Sequence, residues 1–405
     1  MTHPKPCSAP VSPGDRNGTL DAIRGVAVLG ILTMNAVSYG LETPAYFNLD
    51  AGGSRTWLDW AIGGAGEVLF DQKFMGLFSL LFGAGIMMFA DRASARSRRP
   101  VWLSLWRNTL LLAIGITHMQ LWEGDVLVLY AACSPLIIAA RRLRPKVLVI
   151  IGTVLMLSVA VGSVAMQAVV DTGPSGDLAG YWFEGDQTSN TLDLWMMYDF
   201  AARALGMMLI GVALYRTGVV TGERSRRFYE RMAGWGLGVG LPLSGAGLVI
   251  VAASGFSADW ALAGAAPNTL ATIPLCLGYL GLIALWDSRA ESGLRLRVRA
   301  TGRMALTNYL TQSVIGITAL EIIFDTRTAP PKLCTRGVIG ITALEIIFDD
   351  IDFSRSQIAV FILAVWAVQL WWSPIWMRYF RFGPLEWVWR CATYRRWQPL
   401  RTSAG

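Results

Sequence analysis

The sequence of 405 residues has few of the residues that bind metals, with only two histidines and five cysteines. The histidines, His3 and His118, lie far apart in the chain, and no two cysteines have the short spacing that zinc and haem sites use. We therefore expect no metal site and no disulfide framework.

Charged residues are also scarce, at 16% of the chain, whereas 54% of the residues are hydrophobic and the mean hydropathy is +0.45. A soluble globular protein could not bury so much apolar surface, and a disordered chain would not contain it. The 17 tryptophans and 42 glycines are typical of interfacial aromatic belts and close helix contacts in membranes. The composition predicts a polytopic, all-α membrane protein.

Apolar stretches long enough to cross the roughly 30 Å of a bilayer core recur along the chain. They predict a bundle of about ten transmembrane helices: Asp21–Leu41, Phe74–Ala90, Asn108–Leu121, Val126–Ala140, Val147–Val170, Leu194–Val220, Ala233–Ser254, Leu262–Trp286, Met304–Phe324 and Gln357–Trp376. Most of the 35 Lys and Arg residues lie in alternate connections, and the intervening connections are acidic. This positive-inside pattern predicts that both termini are cytoplasmic, and it explains the net charge of +7 without nucleic acid.

We divide the chain into a cytoplasmic tail (1–20), an N-terminal bundle (21–220), a C-terminal region (221–380) and a basic, Trp-rich cytoplasmic tail (381–405). The C-terminal region contains a duplicated segment, 314–349, in which the string VIGITALEIIFD occurs twice. A recent duplication and a sequence-assembly error both explain two identical copies. The second copy is too short to span the membrane, so we expect an interfacial helix.

Ionisable and amide side chains within the predicted spans are candidate functional residues, because burying them in a membrane is costly. Asp21 and Arg24 are three residues apart and can pair with each other, or Arg24 can meet an anionic ligand. Asn35 lies further along the same span, where an interhelical hydrogen bond is the simpler interpretation. Asp199 and Arg203 are four apart and predict an ion pair, with proton coupling or ligand binding as alternatives.

A polar stripe at helical spacing marks the ninth predicted span, where Thr307, Asn308, Thr311 and Gln312 lie on one face. We expect this stripe to be a seam for helix packing. Glu321 follows near the outer end of the span.

His118 is the one histidine outside the N-terminal tail, and it lies at the outer end of the third predicted span. Glu123 and Asp125 follow within two helical turns, so either carboxylate could orient the imidazole for general base catalysis. The same acids could also form an exposed turn at Gly124, with His118 as a packed polar residue.

Five segments together resemble the YeiB-like bacterial membrane proteins, whose C-terminal half is classed as a domain of unknown function. The segments are LDAIRGVAVLGILTMNA (20–36), KFMGLFSLLFGAG (73–85), GITHMQLWEGDVLVLYA (115–131), GRMALTNYLTQS (302–313) and RFGPLEWVWR (381–390). The resemblance implies a multi-pass protein of the bacterial inner membrane, in a family whose members have been described both as transporters and as enzymes.

The LD-x-x-RG start with Asn35 after it also looks like heparan-α-glucosaminide N-acetyltransferase and the integral-membrane acyltransferases. That likeness implies acyl-CoA as a cytoplasmic donor substrate, no permanently bound cofactor, and a sugar, lipid or small-molecule acceptor. The acetyltransferase has its catalytic histidine in the loop after the first span, where this chain has none, so His118 would have to take that role. Arg24 and Arg107 would hold the donor, with Asn35 at the reacting carbonyl and Glu123 or Asp125 orienting His118.

Two other functions remain open. A transporter for a small solute would use Asp199, Arg203 and Glu321 along its path. A membrane scaffold would use the Trp-rich tail at the cytoplasmic interface. The sequence leaves the oligomeric state undetermined.

Overall fold

A computed structural model describes residues 17–96, 99–182, 188–321 and 353–402. Apart from a single bridge between Phe380 and Arg401, the secondary structure of these residues is helical. The α-helices are α1 (Gly18–Gly40), α2 (Thr43–Phe47), α3 (Trp57–Leu69), α4 (Lys73–Arg96), α5 (Pro100–Met119), α6 (Leu127–Ala139), α7 (Pro145–Gln167), α8 (Ala179–Trp182), α9 (Asn190–Arg216), α10 (Arg226–Ala253), α11 (Ala261–Asp287), α12 (Gly293–Arg303), α13 (Ala305–Gly316), α14 (Arg355–Tyr379) and α15 (Pro384–Tyr394).

Seven helical stretches of the described chain are long and apolar enough to cross a membrane. They are Gly18–Gly40, Trp57–Ser94, Pro145–Gln167, Asn190–Arg216, Arg226–Ala253, Ala258–Asp287 and Arg355–Tyr379. The other three predicted spans fall on α5, α6 and α13, of which α6 and α13 have only 13 and 12 residues. At 1.5 Å per residue these two helices are about 18–20 Å long, which is shorter than a bilayer core. The fold is thus an all-α membrane bundle, and the count of ten and the position of the termini stay predictions.

The second VIGITALEIIFD copy and the end of the first lie outside the described residues. Helix α13 passes into one π-helical turn at Ile317–Glu321, within the first copy. The predicted interfacial helix of the second copy therefore stays a prediction.

Helix α3 is not among the predicted spans, and it leads into α4, which contains the second predicted span. It is separated from α4 by a break at residues 70–72, where Gln72 has a positive φ of 60°. The three carbonyl groups that end α3 accept hydrogen bonds from Lys73 Nζ, Ser244 Oγ and Tyr279 Oη at 2.7, 3.0 and 2.8 Å. Side chains of the protein therefore satisfy the carbonyl groups at the break, which is what a helix end inside a membrane requires.

Helices α1 and α12 touch at the start of α1 because Gly302 has no side chain. A Cβ atom at this position would lie 1.9 Å from the carbonyl oxygen of Asp21. A residue larger than glycine would therefore push α12 away from Asp21 and Arg24.

The polar stripe of α13 joins this helix to α1 and α14. Asn308 Nδ2 donates to Ser373 Oγ at 3.1 Å, and Gln312 Nε2 donates to the carbonyl of Val28 at 3.0 Å and to Gln369 Oε1 at 2.9 Å. These contacts make Asn308 and Gln312 part of a helix-packing seam, as the spacing predicts.

Candidate functional site

A cavity of about 350 Å³ lies between α1, α4, α5, α13 and α15. Six arginines line it, namely Arg24, Arg92, Arg107, Arg303, Arg381 and Arg390. Two acidic residues, Asp21 and Glu386, line it as well. The excess of arginine over carboxylate makes this end of the bundle strongly cationic, which suits a ligand with several negative charges.

Two of these arginines are the residues predicted to bind a donor. Arg24 Nη1 lies 3.6 Å from Asp21 Oδ1, so the predicted pair forms, and about a third of the Arg24 side chain stays accessible in the cavity. The Arg107 guanidinium lies between two aromatic rings, 4.4 Å from the centre of Phe89 and 4.1 Å from that of Trp389. Trp389 also donates to the Arg107 carbonyl at 2.9 Å, which fixes α15 against α5.

The rest of the cavity is mostly apolar. Along α4 the lining runs from Arg92 to Phe78, a separation of about 21 Å at the helical rise of 1.5 Å per residue. The apolar part of the lining includes Phe78, Leu81, Phe82, Leu111, Leu127 and Tyr309. The cavity therefore combines a cationic end with an elongated apolar end, and its ligand should be amphipathic.

His118 and Asp125 form a buried pair beyond the apolar end. His118 Nδ1 lies 2.8 Å from Asp125 Oδ1, and the two side chains are 3% and 0% exposed. The pair is fixed by the local fold, because α5 ends one residue after His118 and Asp125 Oδ2 accepts from the Val128 N–H in the first turn of α6. A carboxylate partner places the imidazole proton on Nδ1, so that Nε2 carries the lone pair.

The second nitrogen of this imidazole, His118 Nε2, is buried and has no hydrogen-bond partner within the described chain. Buried polar atoms are nearly always satisfied in folded proteins, and a catalytic role is one explanation for an exception. A ligand that reached Nε2 would supply the hydrogen bond that this atom lacks.

Tyr309 connects the cavity to this pair. Its ring lines the cavity and lies 5.6 Å from the His118 ring, and its hydroxyl lies 3.4 Å from Asp125 Oδ1 and accepts from the Val126 N–H at 3.4 Å. Tyr309 is not predictable as a site residue, because a tyrosine in an apolar helix carries no charge and follows no diagnostic spacing.

The other predicted catalytic residues lie apart from the pair. Glu123 is exposed, so of the two candidate carboxylates Asp125 is the one that contacts His118. Asn35 is half-buried on α1, and no hydrogen bond within the described chain joins its amide to His118 or Asp125.

Asp199 and Arg203 pair with each other on α9, away from the cavity lining. Within the described residues, no three His, Cys, Asp or Glu side chains are grouped closely enough to hold a metal ion.

Glu386 on α15 caps α13, the helix that carries Tyr309. Its Oε1 accepts from the N–H groups of Leu306 and Thr307 at 2.7 and 3.0 Å, and its Oε2 accepts from Thr307 Oγ1 at 2.5 Å. Burial raises the pKa of the Glu386 carboxyl even though these hydrogen bonds favour its ionised form. The capping fixes the start of α13 between the arginines and Tyr309.

Comparison with known proteins gives the family. The chain is 31% identical to the uncharacterized protein YeiB of Escherichia coli over 94% of its own length and 97% of that protein. The family model described as "Protein of unknown function (DUF418)" matches residues 214–348 and 351–396. The chain belongs to the YeiB-like DUF418 family. It is also 28% identical to the uncharacterized protein YxaH of Bacillus subtilis, over 96% of this chain and 97% of that one.

A third relative is the uncharacterized 39.9 kDa protein in the amylase 3' region of Bacillus acidopullulyticus, which is 26% identical over 96% of this chain. In this YeiB-like DUF418 protein, each of the five segments that carry the family resemblance contributes to the cavity lining. Representative residues from the segments are Arg24, Phe78, Leu127, Tyr309 and Glu386. The features that mark the family therefore meet at one site.

Proposed function

We propose that this protein is a membrane acyltransferase that moves an acyl group from acyl-CoA to a hydroxyl or amine of a sugar, lipid or small metabolite. One observation supports this reaction more than any other. A cationic, elongated cavity ends beside the buried His118–Asp125 pair, and His118 Nε2 has no hydrogen-bond partner among the described residues. Phosphates at one end of the ligand and a reacting carbonyl at the other match this arrangement.

The donor phosphates would bind at Arg24 and Arg107 through charge-assisted hydrogen bonds. Stacking between Phe89 and Trp389 holds the Arg107 guanidinium in place, so little side-chain entropy would be lost on binding. The apolar part of the cavity would take the thioester arm and the acyl chain. Acyl-CoA is then a substrate, with no permanently bound cofactor.

In the reaction, His118 Nε2 would accept the proton of the acceptor hydroxyl or amine as its oxygen or nitrogen attacks the thioester carbonyl. The resulting tetrahedral intermediate would lose the CoA thiolate, which takes that proton from His118. Asp125 keeps the imidazole proton on Nδ1 and stabilises the imidazolium that forms. Asn35 would donate to the carbonyl oxygen, which requires the substrate to bridge the space between α1 and the pair.

The positive-inside pattern puts the arginine end of the cavity on the cytoplasmic side of a bacterial inner membrane, where acyl-CoA occurs. Arg107 and His118 lie eleven residues apart on α5, or about 16 Å along the helix. The acyl group would therefore move from the cytoplasmic side towards the outer side, where the acceptor waits. The protein needs the lipid bilayer as its solvent, and its oligomeric state stays open.

Donor binding is tested by thermal unfolding of the detergent-purified protein with acetyl-CoA, longer acyl-CoAs and CoA fragments. A ligand that binds the folded state alone raises Tm by mass action. We expect saturable stabilisation by acyl-CoA that is lost in Arg24→Ala and in Arg107→Ala. Arg226→Ala is the matched control, because Arg226 is exposed and lies outside the cavity lining. Absence of a shift with every donor contradicts the acyltransferase proposal.

Transport of a small solute is the second candidate, and the buried pair of Asp199 and Arg203 in α9 supports it. The solute would compete for these two charges. Substrate counterflow in proteoliposomes that disappears in Asp199→Asn would support transport, whereas flux that ignores this substitution would contradict it.

A further inference from the structure

Tyr309 lines the cavity, and its ring also lies against the His118 ring. Its side chain is fully buried, the centre of its ring lies 5.6 Å from the centre of the His118 ring, and the ring of Phe78 stacks on it with 6.0 Å between the ring centres. Tyr309 and Phe78 both line the cavity, whereas His118 and Asp125 do not. The tyrosine ring therefore stands at the end of the cavity, in front of the histidine.

The ring is held in this position from both ends. Its hydroxyl is fixed by Asp125 Oδ1 and the Val126 N–H, each at 3.4 Å, and its helix is capped one turn earlier by Glu386. A buried ring with a satisfied hydroxyl turns only when these contacts break together.

We propose that Tyr309 is the inner wall of the donor cavity, which sets how far a ligand chain can enter and shields His118 until the ring moves aside. The identity of the ligand as acyl-CoA rests on the proposed function, but the wall itself rests on the contacts of Tyr309. A shielded base would protect a bound thioester from attack by water before the acceptor arrives. Tyr309 is then a specificity-determining residue, because its ring limits the depth of the cavity and therefore how far a ligand chain can enter.

The wall can be tested without any donor, by the rate at which diethyl pyrocarbonate modifies His118. The modification is measured by mass spectrometry of the peptide that contains His118, which separates it from His3. Tyr309→Leu and Tyr309→Ala remove the ring, and Tyr309→Phe keeps the ring and removes the hydroxyl. Leu111→Ala is the control, because Leu111 is a buried residue of the same cavity. Size-exclusion chromatography confirms that each variant is folded.

We expect His118 to react slowly in the wild type, in Tyr309→Phe and in Leu111→Ala, and about tenfold or more faster in Tyr309→Leu and Tyr309→Ala. Equal rates in the wild type and both ring-deleting variants would overturn the proposal. An equal acceleration in Leu111→Ala would also overturn it, because the effect would then be a general loosening of the cavity.

A second measurement addresses the ligand, by comparing Tm shifts across acyl-CoAs of increasing chain length. The shift should stop growing at a shorter chain in the wild type and Tyr309→Phe than in Tyr309→Leu. An unchanged chain-length limit in Tyr309→Leu contradicts the wall. If no acyl-CoA stabilises any variant, the acyltransferase proposal fails, and the rate of His118 modification still decides the role of Tyr309.

Discussion

The substitution Asp125→Asn separates the charge of this carboxylate from its shape. Asp125 accepts from His118 Nδ1 at 2.8 Å and from the Val128 N–H at 3.0 Å. An asparagine has one acceptor oxygen, and a backbone N–H can only donate, so the oxygen should stay with Val128 and the amide NH₂ should face His118. Nδ1 must then accept, which moves the imidazole proton to Nε2.

This change of tautomer removes the lone pair that the proposed base needs. We expect acyl transfer to fall by about 10²- to 10⁴-fold, which is the usual contribution of general base catalysis. The hydrogen bonds to His118 and Val128 are kept and lose only their charge assistance, whereas the Tyr309 hydroxyl loses its acceptor, so the free energy of unfolding should fall by about 1–3 kcal/mol. Asp125→Ala leaves the Val128 and His118 donors without an acceptor, which should cost about 2–6 kcal/mol.

Thermal unfolding in detergent measures the stability, and release of the CoA thiol in membranes supplied with acyl-CoA measures transfer. Glu123→Gln is the matched control, because it removes a negative charge from an exposed residue that lies two positions before Asp125. Wild-type thiol release by Asp125→Asn would refute the assignment of Asp125 as the residue that orients His118. Wild-type stability of Asp125→Ala would refute the hydrogen-bond account of the pair.

Three further results are expected. Lys73→Met should lower the free energy of unfolding by about 2–5 kcal/mol, because buried acceptors lose their donor. The denaturation midpoint measures this loss, and Lys146→Met at an exposed site should have little effect on that midpoint. Burial raises the pKa of Glu386, so the stability that its protonated form contributes is complete below the unfolded pKa of about 4.3 and is lost as pH rises through the folded value. The Tm of Glu386→Gln relative to the wild type should therefore rise as pH increases above the unfolded pKa, and a constant difference would contradict this reasoning. Asp199→Asn should leave acyl-CoA stabilisation unchanged, since Asp199 is outside the cavity lining, and a lost Tm shift would contradict this separation.

Composition and charge alternation were sufficient to predict the membrane bundle, because hydropathy is a property of each segment by itself. The candidate site was predictable only in part. His118 was identifiable as a rare residue near two acids, but Glu123 and Asp125 are equally close to it in sequence. The turn at Gly124 and the first turn of α6 decide between them, since Asp125 also bonds the Val128 N–H.

The features that were missed depend on contacts between distant segments. Helix α3 was missed because the second predicted span begins at Phe74, after the break between α3 and α4. Lys73 lies next to this break, and its ammonium group donates to a carbonyl at the end of α3. Tyr309 was missed because its ring meets His118, and its hydroxyl meets Asp125, which lies 184 residues away in the sequence. Glu386 caps α13 from 80 residues away in sequence, which no local pattern reveals.

Lys73 and His118 are two buried polar residues that differ in whether the protein supplies hydrogen-bond partners for all their polar atoms. Lys73 has a carbonyl and the Asn268 side chain as partners, and Asn268 in turn donates to Asp71 at 2.8 Å. A centre of this kind stabilises the bend between α3 and α4 and leaves nothing for a ligand. His118 is different, because Asp125 fixes one nitrogen and the other has no partner in the described chain. An unsatisfied buried nitrogen costs about 1–3 kcal/mol, and a ligand that forms a hydrogen bond with Nε2 would offset this cost.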